Sequence, residues 1–392
     1  MNSHRLKQLR LARGLSLEEL AAALGGIVTR QALWKYEQGS AKPSLAVASK
    51  LAAVLGTKSI YLLEEPQVNV EYIAYRKKSD MTKAERDRVE SLVCLSLEER
   101  IRLQDRIRSA DSALPSIEPY AIGSVDDAEE AALQLRERWS LGTAAIASVT
   151  AACEDHHIHV IEIDADRKFD GISALARDQV GSIVAAAIVI RKGIPGERQR
   201  LDVAHELGHL VLKVPEGVDE EKAAFRFGSA FLLPADAVRR EVGVRRANIA
   251  IPELLMLKQS FGVSIQAILY RLKVLDVIGE SHYKSWCIRI NKLGYRTNEP
   301  NPLRPEEPTW LRRTVLHGLS EGLLTRSEAE QLTGIDQATV DMSRSISGPM
   351  SMTGLSVAER RQLLAEQARS MVSYYEESKD AEDLGGGDFI EY

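Results

Sequence analysis

A chain of 392 residues, 44% of them apolar and with a net charge of -5, has room for two or three cores of ordinary domain size. No apolar run reaches the length of a membrane span, and the first residues lack the apolar middle of a signal peptide, so a cytoplasmic protein is expected. Three scattered cysteines, Cys94, Cys153 and Cys287, exclude both a disulfide framework and a cysteine zinc site, as suits a reducing compartment.

The charge is unevenly spread. Residues 1–60 carry nine Lys/Arg against three acids, and they read as about five short helices. Leu6, Leu9 and Leu11 pattern the first. Ser16 caps LEELAAALG, which ends at Gly25 and Gly26, and Thr29 caps RQALWKYEQG, which stops at Gly39. Pro43 and Ser44 open a fourth helix, and GTKSIYLL supplies a fifth. The stretch LRLARGLSLEELAAALG…TRQALWKYEQGSAKPS resembles the XRE (lambda-repressor/Cro-like) helix-turn-helix family. That resemblance implies an all-α head whose third helix enters the major groove of a double-stranded DNA operator. Thr29, Arg30, Gln31, Trp34 and Lys35 would then face DNA, Leu33 and Tyr36 the core, and Glu37 would begin the following turn. Arg suits guanine and Gln suits adenine in that groove. Leu17 departs from the family, which often has a phosphate-gripping Gln there, so backbone anchoring should be weaker. Such heads usually read paired half-sites, and a homodimer is therefore expected.

Residues 66–125 read as a linker with connecting helices. EEPQVNVEYIAYRKKSD lacks helical period, and MTKAERDRVESLVCLSLEERIRLQDRIRSA makes one or two charged helices, best taken as solvated. The loop DSALPSIEPYAIGSVDD then leads into AEEAALQLRERW.

From 126 to 278 the pattern is mixed. Helical AAIASVTAACEDHH precedes the strand-like runs IHVIEI, ISALA and SIVAAAIVI. His156, His157 and His159 straddle a helix end and a strand start, which favours structural roles. Next comes RLDVAHELGHLVL. On a helix, residues four apart share a face, so His205 and His209 can address one ion. Glu206 sits one step round, placed to take a proton from a water at that ion. Leu207, Leu210, Val211 and Leu212 would hold the helix in a core. A catalytic zinc site needs a third protein ligand, and DEEKAAFRFGSAFLLP offers one. Ala224, Phe225, Gly228 and Phe231 make an apolar stripe with Glu221 at its near end, while Glu220 competes, one residue of rotation away.

GERQRLDVAHELGHLVL, followed by E-x-x-A-x-x-F-x-x-x-x-L-x-P from Glu221 to Pro234, looks like the ImmA/IrrE metallopeptidase family. The resemblance implies a gluzincin-like domain with a small sheet, a Zn2+ ion held by His205, His209 and Glu221, and Glu206 as the catalytic general base. Phe225 and Gly228 replace the family's usual Asn and Ala. Family members cleave a helix-turn-helix repressor in stress or mobile-element control. An oxyanion helper is expected, with Tyr270, Arg271 and His317 as candidates.

Residues 279–345 read as an accessory C-terminal region, with a Pro-rich extended stretch and then two helices about Gly322. Residues 346–392 read as an amphipathic helix and an acidic tail, with seven acids and one Lys in 373–392. That tail weakly resembles those of type II antitoxins, which gives an alternative: an antitoxin and autorepressor whose tail binds a toxin partner. The fold class expected for the whole is α+β, mostly α, with a C-terminal helical extension.

Overall fold

The computed structural model describes residues 1–66, 68–77, 81–107 and 117–333. The head is four helices: α1 (Ser3–Ala12), α2 (Leu17–Ala23), α3 (Arg30–Glu37) and α4 (Leu45–Val54). Each begins on a residue whose side chain accepts a backbone N–H left without a helical partner: Asn2, Ser16, Thr29 and Ser44. Ser16 and Glu19 satisfy each other reciprocally. Leu6, Leu20, Leu33, Leu51 and Leu55 close the core. The fifth helix expected from GTKSIYLL is absent; Lys58–Leu63 makes only tight turns, bonded from Tyr61 N to Lys58 O and from Leu63 N to Ile60 O. So short a run cannot offset the cost of nucleating a helix.

Two expectations for the next stretch are corrected. Inside the presumed linker lies a strand, β1 (Asn69–Lys77), and the charged stretch, a single helix α5 (Lys83–Ile107), is not merely solvated. Val89, Val93, Leu97 and Ile101, four residues apart, are buried against the main sheet. One face of the helix thus serves the sheet along most of its length, and Glu98 reaches the head, forming a buried ion pair with Arg5 of α1.

After the short strand β2 (Tyr120–Ala121) come α6 (Asp127–Arg138) and α7 (Val149–Asp155). The strands β3 (Ile158–Ile163), β4 (Phe169–Arg177) and β5 (Ile183–Arg191) follow, then α8 (Gly196–Val211), β6 (Leu212–Lys213) and α9 (Glu220–Leu232). The main sheet has the order β1-β4-β5-β3, with β3 and β5 parallel and the other pairs antiparallel. Side-chain alternation sorts it into two faces. Ile172, Ala174, Ala176, Ala185, Ala187 and Val189 face the core that α5 covers. Leu175, Ala186, Ile188 and Ile190 join the core with Val203 and Leu207 of α8. By the same alternation Gly171 and Ser173 point toward α8. His156 stacks on Trp139, and His159 is buried against Trp310, where burial pushes its imidazole down to about 3. Structural roles for this histidine trio are what the geometry gives.

Helices α10 (Ala235–Val242), α11 (Ile251–Phe261), α12 (Ile265–Val274), α13 (Glu280–Leu293) and α14 (Trp310–Ser320) complete the first compact unit, residues 1–325. The Pro-rich stretch between α13 and α14 is a strap. Glu299 accepts from Lys258, which is fully buried and also bound to Glu197. Glu306 accepts from Ser148 and from the N–H groups of Val149 and Thr150 at the start of α7, and pairs with Arg200 of α8. These bonds fix the first turns of α8 from outside, as a buried cation requires. A second unit begins at Arg326 and contains α15 (Arg326–Thr333). The amphipathic helix and acidic tail read in 346–392 lie outside the described residues.

Among the described residues, fifteen helices and two small sheets make the fold α+β, mostly α. No described helix is long and apolar enough to cross a membrane.

Candidate functional site

Helix α8 is buried from Val203 to Val211, with His205 and Glu206 fully inaccessible. A metal site built on such a helix inherits its rigidity. The third donor comes from α9, and the two helices approach closely because Gly228 has no side chain. A Cβ there would stand 3.0 Å from the His205 nitrogen and 3.1 Å from the Ala204 carbonyl carbon. This contact brings Glu221, in the first turn of α9, over the histidines.

The Nε2 atoms of His205 and His209 lie 3.1 Å apart. One Glu221 oxygen is 3.5 Å from His205 Nε2, and the other is 3.5 Å from His209 Nε2. Three donors about 2.0–2.1 Å from one tetrahedral zinc stand about 3.3 Å from each other. The observed spacing therefore fits an ion with little adjustment, and two imidazoles facing a carboxylate are a donor set zinc accepts. It is the one such group of His, Cys, Asp and Glu found among the described residues. Hydrogen bonds from His205 and His209 hold the Glu221 carboxyl well below the usual range. Burial works against protonating His209, but its contacts with Glu221 and its nearness to Glu206 outweigh that and raise it.

Sequence reasoning left Glu220 and Glu221 as competitors, and the structure uses both. Glu220 turns to the other face of His209 and accepts from Nδ1 at 3.2 Å. With an ion on Nε2, that bond would hold the ring with its Nδ1 proton directed at Glu220. The apolar stripe needs one correction. Ala224, Gly228 and Phe231 are buried, but Phe225 is 43% exposed, with its ring centroid 4.1 Å from that of His205. It covers the site's flank instead of entering the core.

Glu206 is walled by β4. Ser173 Oγ lies 2.6 Å from Glu206 Oε2 and 2.8 Å from the Glu206 carbonyl. At Gly171 a Cβ would stand only 2.4 Å from Glu206 Oε1. Neither residue stands out in the sequence, because both lie more than thirty positions before Glu206. The signal available was a Gly and a Ser on alternate positions of an otherwise apolar strand. Of the proposed oxyanion helpers, Arg271 is excluded by its partners: it is buried, bound to Glu129 and to the Leu233 carbonyl. Tyr270 is half-exposed beside Tyr283.

In the head, Arg30, Gln31, Trp34 and Lys35 are all exposed along one side of α3, while Leu33 is buried and Tyr36 half-buried. Thr29 caps this helix through the Ala32 N–H. Arg30 meets Glu18 in an exposed ion pair that water and salt weaken. Glu37 does not begin a turn; it ends the helix, buried in a two-pronged pair with Arg10.

Comparison with known proteins finds a helix-turn-helix domain at residues 6–62 and an IrrE N-terminal-like domain, of a family classed as peptidases, at 153–273. The chain is 41% identical over 64 residues to the SPbeta prophage-derived uncharacterized HTH-type transcriptional regulator YonR of Bacillus subtilis strain 168, covering 16% of this chain and 57% of that protein. It is 38% identical over 80 residues to a putative HTH-type transcriptional regulatory protein of Pyrobaculum aerophilum, covering 20% of this chain and 31% of the other. The chain thus matches little more than half the length of one relative and a third of the other. No solved structure matches it.

Proposed function

We propose that this protein is a DNA-binding transcriptional regulator that is also a zinc-dependent endopeptidase, cleaving a helix-turn-helix repressor. The observation that carries the enzymatic half is the convergence of His205, His209 and Glu221 beside a buried Glu206. Zinc bound there would make a water nucleophilic near neutral pH and polarise the substrate carbonyl. Glu206 takes the proton of the attacking water and passes it to the departing amide nitrogen. Ser173 positions the Glu206 carboxylate, and Glu220 positions His209. Burial of α8 keeps the donors from relaxing toward solvent.

The regulatory half rests on α3. Its exposed face suits the major groove, and a homodimer would place two such helices on paired half-sites. Gln31→Ala is expected to cost about 1–3 kcal/mol of discrimination at one base pair, read in gel shifts on an operator selected from random sequence at fixed salt. A loss spread evenly over all sequences would instead make Gln31 a backbone contact.

The test of the enzyme is metal analysis together with co-expression. Wild type should purify with one zinc per chain and cut a helix-turn-helix repressor placed beside it; His205→Ala should lose both. Wild type without metal, or zinc-loaded protein that leaves every such repressor intact, overturns the reading.

A further inference from the structure

Gly171 and Ser173 of β4 abut the Glu206 carboxylate, so a polypeptide held along β4 would lie beside it. An extended backbone carries N–H and C=O groups that need partners, and the edge of a sheet supplies them. One side of β4 is bonded to β5, so a passing segment must use the other. That side is taken by β1. It runs antiparallel along the whole strand, with Ala74 opposite Ser173 and Arg76 opposite Gly171.

At this level the ladder is irregular. Tyr72 pairs with Ala174 and Ala74 with Ser173, leaving Ile73 as an extra residue. Such a bulge loosens pairing locally and re-aims a side chain; here Ile73 packs on the core that α8 belongs to. Val68, Val70 and Tyr72 pack on the core that α5 covers. Glu71 meets Arg177 in a half-exposed ion pair, and the Tyr72 hydroxyl donates to the Glu90 carbonyl of α5. β1 also begins only seven residues beyond Leu62, a core residue of the head. An outer strand with a bulge at the reacting level is displaced more readily than β5, which is paired on both sides.

We propose that the outer edge of β4 is the peptide-docking edge of the site and that β1 is its resident occupant. The site then takes an extended, strand-forming polypeptide segment only when β1 has left, and the enzyme is latent in the form described. The inference rests on the metallopeptidase reading for what happens to a docked segment, and not for the docking.

The test uses the full-length protein and a fluorescein-labelled peptide of the sequence VNVEYIAYRKK, followed by fluorescence anisotropy. Ile73→Asp places a charge in the apolar contact of the bulge and should bind the peptide at least tenfold more tightly than wild type. Tyr72→Cys with Ala174→Cys pairs two directly opposed positions on the face turned from Glu206. Oxidised, this variant should bind no peptide; reduction should restore binding. The two redox states of one protein carry the test even if Ile73→Asp does not fold. Equal binding by oxidised and reduced protein, or none by any form, overturns the proposal. If binding follows the state of β1 while no form holds zinc or cuts the peptide, the docking edge stands and the peptidase reading falls.

Discussion

Glu206→Gln protein is expected to retain its zinc and its fold while cleaving substrate about 10²–10⁴-fold more slowly, the usual worth of a positioned general base. The amide keeps the size of the carboxylate and can still face Ser173, but it cannot accept a proton. Gly171→Ala should act on the same step from across the sheet. Its Cβ would stand 2.4 Å from Glu206 Oε1, so the fully buried carboxylate must move from its place beside Ser173. Turnover should fall while metal content stays at one per chain. Loss of zinc in either variant would mean that the helix itself had shifted, and the role assigned to Glu206 would then lack support. Turnover at the wild-type rate in Glu206→Gln would sink the mechanism.

What could be read from sequence divides by the range of the interactions. The paired histidines, the α2 and α3 caps and the exposed face of α3 depend on spacings of three or four residues, so the chain displays them directly. Glu220 and Glu221 could not be separated, since one residue of rotation exchanges them and the approach of α8 decides which oxygen reaches which imidazole. β1 was overlooked although Val68, Val70 and Tyr72 alternate, because its partner strand lies a hundred residues further on. The burial of α5 was hidden for a related reason. Its apolar residues form a single stripe, diluted by the many charges around it, and only the sheet face shows what the stripe is for. Gly171 and Ser173 carry no pattern of their own; tertiary contact with Glu206 gives them their meaning.

The head and the body are joined by charge as well as chain, and cutting that join should be expensive. Arg5 is fully buried and held by both oxygens of Glu98, which is 2% exposed. Tyr61 closes the cluster, accepting from Arg5 at 3.1 Å and donating to Glu98 at 3.0 Å. The Arg5 and Arg102 guanidinium groups both lie over its ring. Burial and the Glu98 charge push the Tyr61 hydroxyl far up, so it remains a donor at any ordinary pH. Glu98→Ala leaves the Arg5 cation buried without its counter-charge, a loss expected to cost about 3–5 kcal/mol. Denaturant titration should show the midpoint of the head falling by that amount divided by the slope m. Replacing both partners, Arg5→Met with Glu98→Leu, removes the desolvated charges together and should restore most of the stability, since apolar replacements of buried pairs are often neutral or better. If the double variant recovers the midpoint, the cost of Glu98→Ala is that of the unpaired buried charge. If Glu98→Ala alone leaves the midpoint where it was, Arg5 is reaching water by another route, and the join is weaker than its burial implies.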